Sequence, residues 1–452
     1  MTPTDAVGSL DTLLFAVGIL GVLILAGVLL RLAIGWLRRL VLPAALIGGA
    51  IGLALGPHGA GLFTDPVVSA WADMPGVLAT VVFAPMLMGV TLPRLRETYS
   101  LVAPQLLYGY MGSCLMIGVP LVVTAVLLVP LWGVNDMFGS LVEVGWPGGH
   151  GTAGAMSEVF AGQGWEEGAS LGQTSATVGL VFGICMGMVL LNWGIRKNHV
   201  QAYRHGGAGA GAATSDILPD DGREPMGQVT VSRDLVDTLG LHLALVGLAI
   251  MIGWVLQHVI DMVIPGMPLF PLAMIGGALV QLVVARTRLA RTIESRVFRT
   301  IQGVALDFLV VSAVASIELP VVVENAAPLA VLLVVAALLA LAYFFWIGPR
   351  VFQRDWFEQS IINFGSTTGV ASVGLMLLRT ADPELKTVAG RAYALRAPFF
   401  SPFVGGGLVT AVVPLLAVSY GALATGLAFC AGFVVLLVLA RVLNLWRAPA
   451  RV

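Results

Sequence analysis

The chain carries the stretch Leu42-Pro43-Ala44-Ala45-Leu46-Ile47-Gly48-Gly49, and 228 positions later it carries Phe270-Pro271-Leu272-Ala273-Met274-Ile275-Gly276-Gly277. Three further pairs share nearly the same spacing: Asp11-Thr12-Leu13 with Asp237-Thr238-Leu239 at 226, Leu92-Pro93 with Leu319-Pro320 at 227, and Pro104 with Pro328 at 224. Because the four pairs follow the same order along the chain, together they predict an internal duplication.

The composition predicts a membrane protein. Hydrophobic residues make up 58% of the 452 residues and charged residues make up 11%, whereas about 25% of a soluble domain is charged. Too few charges remain to coat a globule, so most of the surface is expected to contact the lipid bilayer. The net charge is -1, and the basic residues are spread over separate short loops, which argues against nucleic-acid binding.

Eleven apolar segments are predicted to cross the membrane, since about 20 apolar residues span a bilayer as a helix. Each is predicted to be helical because backbone groups in lipid must find their hydrogen bonds within the protein. The predicted crossings are 13–30, 41–56, 76–93, 103–132, 169–192, 235–258, 268–284, 302–318, 326–348, 391–415 and 420–441.

The charged loops predict how these crossings are oriented. If the crossings alternate, one side of the membrane receives Arg31, Arg38, Arg39, Arg94, Arg96, Arg196, Lys197, Arg286, Arg288, Arg291, Arg296, Arg299, Arg350, Arg354, Arg441 and Arg447. The loops of the other side hold no Lys or Arg, only acids such as Asp65, Asp73, Asp136, Glu166, Asp261 and Glu324. The positive-inside rule then predicts an N-terminus outside and a C-terminus in the cytoplasm.

The duplication and the crossings together predict two inverted repeats. Residues 1–194 hold five crossings and residues 235–415 hold their copies; because five is odd, the copies have opposite orientation, as in many secondary transporters. Residues 195–234, rich in Gly, Ala, Asp and Pro, are predicted to be a flexible cytoplasmic linker. Residues 416–452 add one crossing without a partner, which is expected to face lipid or to form a dimer contact.

The first repeat contains an interrupted segment at about 138–164. Pro147 lacks an N–H donor, and Gly148, Gly149 and Gly151 disfavour a continuous helix. A helix over 138–146 that restarts near Thr152 would form a re-entrant hairpin dipping in from outside. Its glycines would let backbone N–H groups approach a ligand. The alternative is a glycine-rich extracellular loop.

The matching segment of the second repeat, at about 356–382, is predicted to be a re-entrant hairpin that enters from the cytoplasm. Its polar groups are on Asn363, Gly365, Ser366, Thr367 and Thr368. Their oxygens suit a hard monovalent cation or a small polar solute. Alternatively, each hydroxyl only bonds a carbonyl one turn back. Thr152, Ser366, Thr367 and backbone carbonyls are the predicted sodium ligands.

Each predicted hairpin is followed by an unusual crossing. The first begins with a polar patch that includes Gln173 and Thr177, which are candidate contacts for a solute or an ion. The second contains Arg396, Pro398 and Pro402, so it is predicted to be kinked or unwound midway. An arginine within a membrane helix is a functional candidate by default, and Arg396 is predicted to bind a carboxylate. The alternative is that its side chain reaches the headgroups.

Few other ionisable residues fall near the predicted membrane interior. Glu143 lies beside the first hairpin and Asp307 about one turn into its crossing, and either could carry a coupling proton or be merely solvated. His150 at the glycine tip could bond a substrate or hold the loop by bonding a backbone carbonyl.

The stretch Gly148-Gly149-His150-Gly151-Thr152-Ala153-Gly154-Ala155, followed by Ala176-Thr177-Val178-Gly179-Leu180-Val181-Phe182-Gly183, resembles the first-half signature of the bacterial sodium/glutamate symporter family. The resemblance implies two inverted five-helix halves, each with a re-entrant loop, moving core against scaffold as a homodimer in the inner membrane. It also implies that Gly148, Gly149, His150, Gly151 and Thr152 contact substrate or ion. Two features depart from the family: the second loop has Ser and Thr in place of a glycine-rich run with a His, and eleven crossings replace ten.

The leading hypothesis is a secondary transporter that couples uptake of glutamate or a related small carboxylate to sodium entry by alternating access. A proton-coupled transporter or an exchanger of another solute on the same fold is the nearest alternative, and a passive channel is a further one. An intramembrane enzyme is disfavoured, since the sequence contains no catalytic dyad, His-Glu-x-x-His element or nucleophile elbow. No cofactor other than the coupling ion is expected.

Overall fold

The computed structural model describes residues 3–35, 37, 42–57, 59–63, 65–89, 95–201, 225–232, 234–260, 262, 268–382 and 386–447. Some positions used above lie outside the described residues: most of the predicted linker (202–224 and 233), Leu92-Pro93, Arg38, Arg39, Arg94 and Asp261. The side chains of Asp65 and Arg96 lie outside the description as well.

The described residues form helices, with no strand among them. In chain order the helices are α1 (Pro3–Ala33), α2 (Ala44–Leu55), α3 (Asp65–Phe83), α4 (Leu95–Val123, continuing through a wider turn to Trp132), α5 (Leu141–Gly145), α6 (Gly149–Ala155), α7 (Ser157–Gly162), α8 (Glu167–Arg196), α9 (Thr238–Ile260), α10 (Leu269–Val284), α11 (Ser295–Ala315), α12 (Leu319–Glu324), α13 (Ala326–Val351), α14 (Trp356–Ala381), α15 (Val388–Phe400), α16 (Leu408–Tyr420) and α17 (Ala422–Val442). Short 3-10 turns lie at Ala84–Leu87, Asp136–Ser140 and Arg288–Thr292.

Nine helical stretches in the described part of the chain are long and apolar enough to cross a bilayer. They are Asp11–Ala33, Pro66–Leu87, Tyr99–Trp132, Glu167–Arg196, Thr238–Ile260, Ser295–Ala315, Ala326–Val351, Trp356–Ala381 and Ala422–Val442. The prediction of an all-helical polytopic membrane protein is confirmed at this level.

Two predicted crossings match helices shorter than 18 residues, and a third is interrupted. The segments 41–56 and 268–284 are the shorter helices Ala44–Leu55 and Leu269–Val284. The segment 391–415 is divided into α15 and α16 by residues 401–407, which are not helical. The predicted kink is therefore a full interruption, because Pro402 is followed by glycines at 405–407, two of which have positive φ.

Four helices, α1, α3, α4 and α11, begin seven or more residues earlier than predicted. Helix α3 begins at Asp65 rather than at 76, and Pro75 lies inside it. Its early turns are held against α1, since Trp71 is fully buried and its Nε1 donates to Ala16 O at 3.1 Å. Helix α11 begins at Ser295 rather than at 302. Asp307 consequently lies in the middle of a helix, not one turn from its start.

The chain divides into two compact units. Unit 1 comprises Met1–Thr91, His150–Gln173 and Ala213–Pro320, and unit 2 comprises Leu92–Gly149, Thr174–Ala212 and Val321–Val452. Each unit takes residues from both predicted repeats. The first interrupted segment passes from unit 2 to unit 1 between Gly149 and His150.

In unit 1, glycines bring helices into backbone contact at matching positions of the two predicted repeats. A Cβ at Gly48 on α2 would lie 2.4 Å from Leu23 O on α1. A Cβ at Gly276 on α10 would lie 2.2 Å from Ala249 O on α9. Gly276 follows Gly48 by 228 positions and Ala249 follows Leu23 by 226, so the duplicated sequence makes the same contact twice.

The neighbouring glycines of the duplicated stretch exchange partners between the repeats. A Cβ at Gly49 would lie 2.6 Å from Val314 Cβ on α11. A Cβ at Gly277 would lie 2.0 Å from Ala84 O, just after α3. Helix α2 of the first repeat thus packs on α11 of the second, and α10 of the second repeat packs on the end of α3 of the first. Only glycine permits both approaches, because any side chain would overlap the neighbour.

The helix without a repeat partner, α17, packs against α4 in unit 2. A Cβ at Gly426 would lie 2.8 Å from Gly118 O, and a Cβ at Gly118 would lie 2.8 Å from Cys430 Sγ. Small residues of this kind let membrane helices approach closely. The other face of α17, including Val434 and Val438, is exposed. The helix is therefore a packed part of unit 2 that keeps one apolar side free.

Gly276→Ala should destabilise the protein by about 1–3 kcal/mol, the usual cost of overpacking a tight contact, because the added methyl meets Ala249 O. The matched control is Gly247→Ala on α9, where nothing lies within 4 Å of the new Cβ. Thermal unfolding of both purified variants in detergent measures the difference. Equal melting temperatures would contradict the glycine contact.

Candidate functional site

Helix α14 folds back on itself at Gly369 and Val370. Gly369 has φ -146° and ψ 37°, and Val370 has φ 64° and ψ 170°, values far from those of a helix. The two legs meet at glycines, since a Cβ at Gly365 would lie 2.7 Å from Gly374 Cα. The second interrupted segment is therefore a helical hairpin whose tip is at residues 369–370.

The first interrupted segment touches this tip inside unit 2. Gly149 has φ +67°, and a Cβ there would lie 2.3 Å from Val370 Cγ1. The preceding Gly148 closes the turn by donating its N–H to Glu143 O at 3.3 Å. A β-branched residue with positive φ, as at Val370, is a true outlier. Such strain costs about 1–3 kcal/mol and persists where the surroundings enforce it.

Helix α8 supports the hairpin tip through two glycines. A Cβ at Gly179 would lie 2.6 Å from Thr368 O, and a Cβ at Gly183 would lie 2.6 Å from Thr368 Oγ1. The Thr368 hydroxyl itself donates to Phe364 O at 2.8 Å, which is the bond one turn back. Both glycines belong to the second part of the sequence signature. A larger residue at either position would overlap Thr368 of α14.

Three buried amide side chains link α4 to the first leg of the hairpin. Asn363 Nδ2 donates to Gln105 Oε1 at 2.9 Å and to Gln359 O at 2.7 Å. Gln105 Nε2 donates to Gln359 Oε1 at 3.0 Å. A bonded polar network of this kind fixes the position of each member inside an apolar environment.

Arg396 on α15 lies against this network. It is 4% exposed, and its Nη1 donates to Gln105 O at 3.2 Å. The guanidinium carbon lies 4.5 Å from the ring centre of Tyr393 and 4.4 Å from that of Phe400. In the part of the chain that the structure describes, no carboxylate pairs with it. Arg396 is thus a buried cation held by aromatic faces and one carbonyl.

The hydroxyls of the hairpin differ in how they are bonded. Ser366 donates to Ile362 O at 2.7 Å and accepts from Tyr393 Oη at 2.8 Å. Tyr393 therefore connects Ser366 to the ring stack on Arg396. Thr367 is half-buried and lines a narrow cleft with Asn363, Tyr108 and Tyr343. Asn363, Ser366 and Arg396 are brought into one neighbourhood of unit 2.

Other predicted site residues lie in unit 1. His150, Gly151 and Thr152 follow the first interruption, and Gln173 Nε2 donates to His150 O at 3.1 Å. Thr177 is half-buried on α8 in unit 2.

The three predicted sodium ligands are divided between the units, since Thr152 belongs to unit 1 and both Ser366 and Thr367 belong to unit 2. The described residues hold no group of three or more His, Cys, Asp or Glu that suits a metal.

Sequence reasoning missed Gln105, Gln359 and Tyr393. Gln105 was a usable signal, because it is a polar side chain inside the long apolar run of α4. Gln359 and Tyr393 are each one helical turn or less from a residue that was predicted, Asn363 and Arg396 respectively. Helical spacing of three or four residues could therefore have found both.

The sequence matches the sodium/glutamate symporter family over residues 7–371. The chain belongs to this family. It is therefore a sodium-coupled glutamate transporter and not an enzyme, as the resemblance of the glycine stretch implied. No curated protein matches the chain. Tyr393 and Arg396 lie beyond the matched residues, so the symporter's buried arginine is assigned by structure rather than by the family.

Gly149→Ala should reduce uptake about tenfold or more, because the methyl both strains a positive φ and meets Val370. Adding Val370→Gly should restore part of the activity, since it removes the facing side chain and its own strain. Glutamate uptake by the wild type, the two single variants and the double variant in proteoliposomes measures the coupling. Strictly additive losses would show that the two positions do not interact.

Proposed function

We propose that glutamate binds inside unit 2 with a carboxylate on the guanidinium of Arg396. The observation that carries this proposal is a buried arginine with no carboxylate partner among the described residues. A buried unpaired charge costs several kcal/mol unless it is compensated. A substrate carboxylate supplies the opposite charge and suits the planar guanidinium, which can donate two parallel hydrogen bonds.

The polar groups around Arg396 are proposed to recognise the rest of the substrate. Asn363, Ser366 and Thr367 on the hairpin offer an amide and two hydroxyls, and Gly365 and Thr368 shape the hairpin near them. Gly148, Gly149 and Thr177 of unit 2 are further proposed contacts, which rest on the resemblance to the family signature and on the polar patch of α8. His150, Gly151, Thr152 and Gln173 belong to unit 1 and stay predictions from the same two sources.

The proposed mechanism needs two repeats of opposite orientation. The paired contacts at Gly48 and Gly276 support the duplication, because they join equivalent residues of equivalent helices. The contacts at Gly49 and Gly277 support a two-fold relation between the repeats. The second helix of each repeat packs on the third-helix region of the other repeat, and two-fold symmetry produces such a reciprocal pair of contacts. Five crossings per repeat make that relation an inversion across the membrane.

We propose that the α14 hairpin is re-entrant. The legs, 356–368 and 371–381, have 13 and 11 residues and are about 20 Å and about 17 Å long at 1.5 Å per residue, whereas the hydrocarbon core is about 30 Å thick. A leg of that length does not cross, so the segment enters and leaves on one side. Its interrupted backbone is tolerated because protein surrounds it.

Transport is proposed to follow alternating access, with the site open first to the outside and then to the cytoplasm. Sodium and glutamate are expected to bind together, because either alone leaves a buried charge uncompensated. The doubly loaded protein then favours the change of state, and partly loaded forms do not. This provides the coupling between the sodium gradient and glutamate uptake.

The proposed setting is the bacterial inner membrane, with the N-terminus outside and the C-terminus in the cytoplasm. The one-sided distribution of Arg and Lys supports the orientation. The resemblance to the family supports the inner membrane and a homodimer. Labelling of introduced cysteines from each side and cross-linking in native membranes test these points.

Arg396→Gln should raise the KM for glutamate about tenfold or more, since losing a hydrogen bond to a charged group costs about 1.5–3 kcal/mol. The matched control is Arg391→Gln, which removes an exposed charge from the same helix. Sodium-driven glutamate uptake in proteoliposomes measures both variants. An unchanged KM in Arg396→Gln, or a loss equal to that of Arg391→Gln, would remove Arg396 from the binding site.

A further inference from the structure

Glu143 is a second buried charge in unit 2, and the glutamate site described above does not use it. It lies on the short helix α5, just before the first interruption, and is 1% exposed. Gly405 N–H donates to Glu143 Oε1 at 3.2 Å and the Thr410 hydroxyl donates to the same oxygen at 3.0 Å. The other oxygen, Oε2, is buried and has no hydrogen-bond partner.

No basic side chain pairs with Glu143 among the described residues. Its two partners, Gly405 and Thr410, are neutral donors, and they reach one oxygen only. The Thr410 hydroxyl is itself fixed, because it accepts from Gly406 N–H at 3.2 Å. A carboxylate removed from water in this way still needs an opposite charge on its free oxygen.

The backbone around Glu143 is rich in unused acceptors. The segment 401–407 between α15 and α16 is not helical, and the carbonyl oxygens of Val404 and Gly405 accept no hydrogen bond within this fully described segment. Pro147 O lies 3.4 Å from the position that a Cβ of Gly405 would take. Both interrupted segments thus contact Glu143, since Gly405 N–H bonds its Oε1 and Gly148 N–H bonds its backbone oxygen.

We propose that Glu143 binds the coupling sodium ion, with Oε2 as a ligand and with carbonyl oxygens of the two interrupted segments completing the shell. Hard cations prefer oxygen ligands, and an interrupted helix supplies unpaired carbonyls for them. This inference deepens the proposed function and moves the ion away from the hydroxyls of Ser366 and Thr367. Ser366 already bonds Ile362 O and Tyr393.

The test measures sodium binding separately from transport. Purified wild type, Glu143→Gln and the control Glu324→Gln are heated in potassium chloride with increasing sodium chloride and no glutamate. Glu324 is exposed at the end of α12 in unit 2, so its variant makes the same charge change on the surface. Sodium should raise the melting temperature of the wild type and of Glu324→Gln.

In Glu143→Gln the sodium concentration for half of this effect should rise about tenfold or more, because the only charged ligand is lost. If Glu143→Gln does not fold, Thr410→Val against Thr410→Ser gives the same comparison without a charge change: valine should weaken sodium binding and serine should retain it. An unchanged half-effective sodium concentration in Glu143→Gln would overturn the proposed site. If only the Thr410 variants fold, an unchanged value in Thr410→Val would overturn it. A change in pH dependence with normal sodium binding overturns it in favour of a proton.

Uptake assays separate this inference from the proposed function. If wild-type uptake did not depend on sodium, the proposed function itself would fail. If wild-type uptake depends on sodium and Glu143→Gln shows the same half-saturating sodium concentration, only the assignment of Glu143 fails. The expected result is sodium-dependent wild-type uptake and a raised half-saturating sodium concentration in the variant.

Discussion

Backbone N–H and C=O groups within a bilayer must be satisfied by the protein, because lipid offers no hydrogen bonds. An interruption in a membrane helix is therefore stable only where other protein groups cover it. The described part of unit 2 has breaks between helical segments at residues 146–148, 369–370 and 401–407. They are joined by contacts within the unit: Gly149 meets Val370, and Gly405 bonds Glu143. The polar chemistry of the transporter follows from this grouping of broken helices.

Two opposite charges are buried beside these interruptions, and neither has an ion partner in the described part of the chain. Arg396 is stacked between aromatic rings, and Glu143 has one oxygen bonded and one free. Because each is held by neutral groups instead, we propose that an anion and a cation complete the site together. A sodium/glutamate symporter requires this pair of ligands.

Sequence periodicity and repetition predicted the helices well, because helix formation depends on local composition. The glycine contacts between the helices were not predicted. The stretches ending at Gly49 and Gly277 marked α2 and α10, and Arg396 stood out as a charge in an apolar segment. The bend at Val370 could not be predicted, since a β-branched residue is among the least expected at positive φ. Tertiary packing on Gly149 and α8 enforces that conformation.

The pairing of α5 with the 401–407 segment was equally hidden from the sequence. More than 250 residues separate Glu143 from Gly405 and Thr410, and no periodic pattern links positions so far apart. The sequence identified Glu143 and the prolines near position 400, but it did not predict the contact of Glu143 with Gly405 and Thr410. Likewise Gln105 meets Asn363 across 258 positions. Local rules therefore found most of the helices and several site residues, and long-range packing decided how the site residues combine.

A cryo-electron microscopy structure of the purified protein with saturating glutamate and sodium would show both proposed ligand sites at once. We expect glutamate density with a carboxylate on Arg396 between Tyr393 and Phe400, near the hairpin formed by α14, and an ion beside Glu143. Glutamate bound away from unit 2, with Arg396 still stacked and unpaired, would contradict the proposal.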